Sequence, residues 1–271
     1  MRDLYVSNGN VKIHIHDYEY SGAAVIFLHF GGANLMMWQR ALPFFQDKYR
    51  LILVDMRGHG KSDKPESGYL IDEMAVDVAA VMDYLKVERA HIIGCSMGAE
   101  VGLSLAANYP EKVKSLVCEG ALYSEYGPYG MWEGSYEEFE AFATEQLEKI
   151  MITPDKHYPS EQALVDANKQ SIEKFVPWNE FFEQMKRYEV YQNEKGQYAS
   201  GMSKAGKLEY MKHYFDYRFE DYYSRVKCPL LILPDEEDSQ NECIKVTMNG
   251  FKQLAAHAEI VVVADWSHPY G

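Results

Sequence analysis

Ala90-His91-Ile92-Ile93-Gly94-Cys95-Ser96-Met97-Gly98-Ala99 passes from a short apolar run straight into a helical pattern, with a serine framed by two glycines at the joint. Short apolar runs of this kind are expected where helices cover both faces of a parallel sheet. From Met97 to Tyr109 the pattern is helical and Pro110 stops it; Gly98, Gly102 and Ala106 share one face, which lets the helix approach the sheet closely. G-x-S-x-G in this context lifts a serine hydroxyl above the sheet, because the glycines avoid clashes in the tight turn. The helix N-terminus adds partial positive charge. Ser96 is therefore the candidate nucleophile, and a mere turn is the less informative reading.

The same rhythm extends on both sides. Ala23–Leu28 and Arg50–Val54 read as interior strands upstream, and Lys114–Cys118, Cys228–Leu233 and Glu259–Val263 as strands downstream. Val11 to Tyr20, with Lys12-Ile13-His14-Ile15-His16 alternating, reads as a half-exposed strand near a sheet edge. Helices fall between: one from Ile71 to Leu85 behind Asp72 as its cap, and one turning Ile244, Met248, Phe251 and Ala255 inward. This alternation predicts an α/β fold, a mostly parallel eight-stranded sheet with ligands beyond the carboxyl ends of the strands.

The rhythm breaks between about Ala121 and Tyr223, where helical, acidic and aromatic segments replace interior strands. More than half of the 12 Phe, 4 Trp and 21 Tyr fall there. The expected organisation is a discontinuous core, residues 1–120 and 224–271, with residues 121–223 inserted as a helical, aromatic-rich cap. Within the cap, Lys195–Lys207 is rich in Gly, Ser and Lys and reads as a mobile loop. Tyr123, Tyr126, Tyr129 and Trp132 are candidates for a pocket wall, although for any single one packing of the cap on the body is the better reading.

Composition narrows the partners. A chain of 271 residues can bury roughly three quarters of its unfolded surface around one core. With 47% hydrophobic and 25% charged residues it is no disordered chain. A net charge of −14 repels nucleic acid phosphates and anionic membranes. No stretch resembles a secretory leader or approaches the roughly 18 apolar residues of a membrane span. Cys95, Cys118, Cys228 and Cys243 are too scattered for a zinc site or a disulfide framework, so a cytoplasmic protein with structural thiols is expected. The expected partner is a small molecule, bound by a monomer or homodimer.

A serine hydroxyl needs a base, and the base needs an orienting carboxylate. His268 follows the last apolar strand and Asp238 the preceding one, which puts both on the sheet edge that carries Ser96, in the order Ser…Asp…His. Asp235, Glu236 and Glu237 stand beside Asp238, and Glu119 ends the strand before the cap, so each competes for the acid's role.

Taken with His29-Phe30-Gly31-Gly32 after the first interior strand and Asp55-Met56-Arg57-Gly58-His59-Gly60-Lys61-Ser62 after the next, these residues carry a resemblance. Over nearly its whole length the chain resembles the α/β-hydrolase superfamily, most closely the small capped esterases, non-haem haloperoxidases or perhydrolases, lactonases and carbon–carbon hydrolases. The resemblance implies Ser96 as nucleophile, His268 as general base and then acid, and Asp238 as the orienting carboxylate. It implies an oxyanion hole from the backbone amides of Met97 and Gly31; Phe30 stands where the family has glycine and is the alternative donor. It also implies that Asp55–Ser62 supports the floor of the site. Such proteins usually continue into a final helix, whereas this sequence ends at Gly271, three residues past His268.

Other signals carry less. Gly60-Lys61-Ser62 lacks the upstream glycine of a phosphate loop, and no G-x-G-x-x-G follows a strand. No cofactor is expected. Among the nine histidines, His14 and His16 alternate on a strand and the rest lack ligand spacing, so no metal is expected either. The expected activity is hydrolysis of a small, largely apolar ester or lactone through an acyl-enzyme, the cap's acidic surplus hinting at neutral or cationic substrates. Alternatives are carbon–carbon cleavage or perhydrolysis on the same residues, or a ligand-binding receptor that has kept the fold.

Overall fold

A computed structural model describes residues 1–120 and 122–263. The chain opens with a hairpin, β1 (Arg2–Asn8) and β2 (Val11–Tyr18), turned at Gly9 with φ +57°. Then come β3 (Ala23–Leu28), the short α1 (Leu42–Phe45), β4 (Tyr49–Val54), α2 (Ile71–Tyr84), β5 (Ala90–Cys95), α3 (Met97–Asn108) and β6 (Val113–Glu119). An insertion follows: α4 (Tyr136–Ile152), α5 (Glu161–Ile172), α6 (Glu180–Tyr188), a ribbon of β7 (Tyr191–Gln192) and β8 (Tyr198–Ala199), α7 (Lys204–Asp216) and α8 (Phe219–Tyr223). The chain returns to the sheet with β9 (Leu230–Leu233), α9 (Glu236–Gln240), α10 (Glu242–Leu254) and β10 (Ala258–Ile260).

The eight-stranded sheet has the order β1-β2-β4-β3-β5-β6-β9-β10, antiparallel only at β1–β2 and β2–β4. Ile26, Phe27, Leu28, Leu51, Ile52, Leu53 and Ile92 are fully buried. Side chains alternate between faces along a strand, and both faces of these strands are covered, so continuous apolar runs replace the half-polar alternation of β2. Each such side chain contributes about 1.5–3 kcal/mol of transfer free energy. A Cβ added at Gly102 would meet Leu116 Cδ1 at 2.9 Å and Ile92 Cγ2 at 3.2 Å, so the small-residue face of α3 does lie close on β5 and β6. Among the described residues no helix is long and apolar enough to cross a membrane.

Four local expectations change. β2 is buried rather than half-exposed from Ile13 to Asp17, because the sheet edge is taken by its hairpin partner β1, whose Arg2-Asp3-Leu4-Tyr5-Val6-Ser7 hides its strand character behind exposed polar residues. Asp72 does not cap α2. The N-cap is Leu70, whose N–H donates to Glu73 Oε2 at 3.3 Å, while Asp72 accepts from Ser104 Oγ at 2.5 Å and ties α2 to α3. The segment from Lys195 to Lys207 is not simply a loop: it holds β8 and the start of α7, whose Ser203 cap accepts from Gly206 N. Gly206 is packed so tightly that a Cβ there would meet the Tyr69 ring at 2.5 Å, so this glycine serves close approach rather than freedom. The last strand stops at Ile260, since an edge strand has only β9 to pair with; Val261 still donates to Ile232 O at 3.0 Å.

Candidate active site

Ser96 is one of two non-glycine residues with positive φ among the described residues, at φ 48° and ψ −119°. That conformation is costly and persists because its surroundings over-determine it. Its N–H donates to Glu119 O at 3.0 Å, and its carbonyl accepts the N–H groups of Ala99 and Glu100, which opens α3. The two glycines of the motif are required by contact. A Cβ on Gly94 would sit 2.3 Å from Gly98 O, and a Cβ on Gly98 would sit 2.3 Å from Leu28 O. Strand, elbow and helix therefore close on each other with no room for a methyl group.

Ser96 lines a cavity of about 350 Å³ with Glu100, Tyr123, Tyr214, Asp238 and Asn241 among its walls. Asp238 belongs to the five-residue α9 that follows β9; Asp235, the N-cap of that helix, accepts Asp238 N at 2.7 Å and also faces the cavity. Glu237 lines it too, whereas Glu236 and Glu119 are not among its described walls. Glu119 instead turns to Cys95, whose thiol donates to it; burial pushes the Glu119 carboxyl up, with the thiol bond opposing. Burial first, and then this carboxylate, push the Cys95 thiol well above its ordinary range, which makes it an inert packing group. His268 lies outside the described residues.

On the other flank the chain turns at Phe30–Ala33, where Ala33 N donates to Phe30 O at 3.1 Å and Gly32 takes φ +81°. This is a turn that needs a glycine at its third position. His29 fastens it: Met56 N–H donates to Nε2 at 3.1 Å, so Nδ1 carries the proton and donates to Phe30 O at 2.8 Å. Burial lowers the pKa of this ring and keeps it neutral. Gly31 meets the residue at the start of α3, since a Cβ on it would lie 3.0 Å from Met97 Cε. The structure thus brings Gly31 against the Met97 side chain, next in sequence to Ser96; Phe30 is buried and its carbonyl accepts from His29 Nδ1.

Asp55 anchors the floor. Its Oδ1 accepts Leu35 N at 2.8 Å, and its Oδ2 accepts Lys61 N at 3.0 Å and the Tyr188 hydroxyl at 2.9 Å. A Cβ at Gly60 would overlap this carboxylate, which accounts for the glycine in that loop.

Three features were not expected from the residues. Glu100 is 4% exposed one helical turn after Ser96, and accepts the Tyr210 hydroxyl at 2.8 Å. Burial pushes its pKa up to about 7, the Tyr210 bond opposing. Tyr214, from the same helix α7, donates to Glu125, another carboxyl raised by burial. Finally, Lys186 of α6 is buried against the Phe30–Ala33 turn, donating to Gly32 O and to Glu189 Oε1, each at 3.0 Å. A single acidic residue inside the small, apolar face of a helix was the available signal for Glu100; Lys186 gave none for its contact with the turn, because Gly32 lies 154 positions away. Of the four aromatics offered as pocket wall, only Tyr123 lines the cavity among the described residues. Tyr126 stacks on Phe139 and Tyr129 on Phe251, and Trp132 packs on Phe139 and Phe142.

Comparison with known proteins agrees with this architecture. The model of the alpha/beta hydrolase fold family matches residues 23–268. The chain belongs to that family. It is 43% identical over 94 residues to the 3-oxoadipate enol-lactonase 2 of Acinetobacter baylyi, a stretch covering 35% of each protein, so the chain spans about a third of that relative's length. A solved structure of E-2-(acetamidomethylene)succinate hydrolase superposes with a TM-score of 0.73 at 21% identity, covering 98% of this chain and 92% of that one. Est816, described as an N-acyl homoserine lactone degrading enzyme, superposes with a TM-score of 0.65 at 26% identity over 98% of this chain and 94% of its own.

Proposed function

We propose that this chain hydrolyses small carboxylic esters or lactones through an acyl-enzyme on Ser96, with Asp238 and His268 completing the triad. The observation that carries the reading is the strained Ser96 at the mouth of a cavity that also holds Asp238. Ser96 Oγ attacks the carbonyl carbon as its proton passes to His268, and the oxyanion forms opposite the N–H groups of Met97 and Gly31. Collapse breaks the bond to the alkoxy oxygen, which takes the proton from His268; in a lactone this oxygen stays on the opened chain. Water then adds to the acyl carbon, giving its proton to His268, and release of the acid returns that proton to Ser96. Asp238 holds the imidazole in the tautomer that receives the proton.

The walls refine the substrate. Four carboxyl side chains, Glu100, Asp235, Glu237 and Asp238, line the cavity, and no lysine or arginine does among the described residues. Leu122 and Ile244 are the apolar walls beside them. This moves the reading from a largely apolar substrate to one that is neutral or cationic and rich in hydrogen-bond donors, and away from dicarboxylates. The similarity to a protein described as degrading an N-acyl homoserine lactone supports lactones within that class.

The test is hydrolysis of matched neutral, cationic and anionic p-nitrophenyl esters and of small lactones, with Ser96→Ala at equal folded concentration. Activity on the neutral or cationic members that disappears in Ser96→Ala is the expected result. Activity that survives in Ser96→Ala, or its absence from every ester and lactone, overturns the proposal.

A further inference from the structure

We infer that the amino-terminal hairpin carries a zinc-type divalent cation site made of Asp3, His14 and His16. On a strand, residues two apart share a face, so H-x-H presents two imidazoles side by side. His14 and His16 do this on β2, and the register sets Asp3 of β1 directly opposite His16. His14 Nε2 lies 2.7 Å from Asp3 Oδ1, His16 Nε2 lies 3.7 Å from Asp3 Oδ2, and one ligand atom from each of the three residues falls within 4.8 Å of the others. Neighbouring ligands on a tetrahedral zinc stand about 3.3 Å apart, given Zn–N bonds of about 2.0 Å, so sub-ångström side-chain shifts complete the set. His14 Nε2 and Asp3 Oδ1 lie at hydrogen-bond distance, and the cation takes the place of that contact.

Two further observations point to a ligand. His16 is 6% exposed, yet among the described residues neither of its ring nitrogens has a hydrogen-bond partner. A buried polar group without a partner costs about 1–3 kcal/mol, and a bound cation is the partner this geometry offers. The supporting bonds are also in place: His14 Nδ1 is 3.0 Å from Asp55 Oδ2, the carboxylate–histidine pairing that orients a ligating ring and raises its basicity. Asp3 is half exposed at the rim and gives a cation its entry.

Two imidazoles and one carboxylate select zinc, cobalt or ferrous iron over calcium or magnesium. Because Asp55 also accepts the Tyr188 hydroxyl from α6, a cation on His14 clamps β1 to β2 and stiffens the contact between this sheet edge and the inserted helices. The reading set aside for want of H-x-x-x-H in the sequence is thereby reversed, since a strand uses H-x-H.

The experiment uses tag-free protein stripped with a chelator and titrated with Co²⁺, followed by visible d–d absorption, and then with Zn²⁺ by calorimetry. One equivalent with intense tetrahedral-type bands is expected, with a rise in Tm. His16→Gln and Asp3→Asn should each weaken binding by at least about a hundredfold. Exposed histidines serve as controls: His157→Gln and His257→Gln should leave binding unchanged. Asp3→Asn removes only a rim side chain, and so remains informative if His16→Gln fails to fold. Absence of stoichiometric Co²⁺ binding, or binding that survives both hairpin variants, overturns the site.

Discussion

The two flanks of Ser96 are built on different principles. On the β3–β4 side, His29 and Lys186 hold the Phe30–Ala33 turn through Phe30 O and Gly32 O, and Asp55 holds Leu35 N just after it. On the β9 side, Asp235, Glu236, Glu237 and Asp238 share the start of a five-residue helix in which Glu236 and Glu237 are exposed. Stabilising a developing oxyanion requires donors already in place, because reorganisation at the moment of reaction would cost what the donors return. A triad carboxylate only has to face the histidine. The difference predicts that one flank fails through loss of structure and the other through loss of a single charge.

The largest effect should therefore come from an isosteric change on the acid flank. Asp238→Asn should lower kcat about 10³–10⁴-fold with an unchanged Tm, because the wrong imidazole tautomer is then held. Glu119→Gln should change kcat less than tenfold, since Glu119 is engaged by Cys95 rather than facing the cavity. Equal losses in the two variants would erase the assignment of the acid. Kinetics and thermal melts on both, side by side, make the measurement.

On the fastened flank, Lys186→Met is the corresponding change. It leaves Glu189, 2% exposed, buried without its cation, and frees Gly32 O. A broken buried pair costs about 3–5 kcal/mol, so Tm should fall before any kinetic effect is read, and Glu189→Gln in the same chain should restore part of it. A Tm unchanged by Lys186→Met would show that α6 does not secure this turn.

Gly98→Ala probes the joint between the flanks. The added methyl would press on the carbonyl oxygens of Leu28 and His29, which are backbone and cannot swing away. Overpacking of this kind costs about 1–3 kcal/mol, and the strand–helix separation it forces would also displace Met97 N–H. Urea unfolding and kcat should both respond; a change in neither would mean the motif's second glycine is not needed for contact.

Legibility followed the same division. The elbow could be read because its constraint is local: Gly94 and Gly98 answer to backbone atoms that any closely packed strand–turn–helix places there. The interior strands announced themselves because both faces are covered. What stayed hidden depends on partners far along the chain. Lys186 reads as an ordinary surface lysine until α6 is laid on Gly32, and Glu100 as a blemish in α3 until Tyr210 arrives 110 positions later. Asp72 looked like a cap because Asp favours that role, but Ser104 and Asn108 on the neighbouring helix claim its carboxylate. Gly206, one of the small residues that suggested a loop, is small because Tyr69 lies against it. His268, the proposed base, lies outside the described residues, and its role rests on the chain's order of residues.

The smallest effect should belong to Glu100, and its sign depends on pH. Its pKa is raised by burial to about 7 from an ordinary 4.5, so the folded state binds a proton more tightly than the unfolded chain does. The stability this contributes is fully present below about 4.5 and is lost as pH rises through about 7. Glu100→Gln keeps an oxygen to accept the Tyr210 hydroxyl and removes the charge. The variant should come closest to the parent near pH 4.5 and exceed it near pH 8, with the difference growing across the window between. Because Glu100 also lines the cavity, the same substitution should raise KM for a cationic ester at pH 8 while leaving a neutral one little changed. Melts at the two pH values separate the structural consequence from the kinetic one: a stability gain without a charge-dependent KM would confine Glu100 to the packing of α3 beneath α7, and a KM effect alone would place its charge at the substrate.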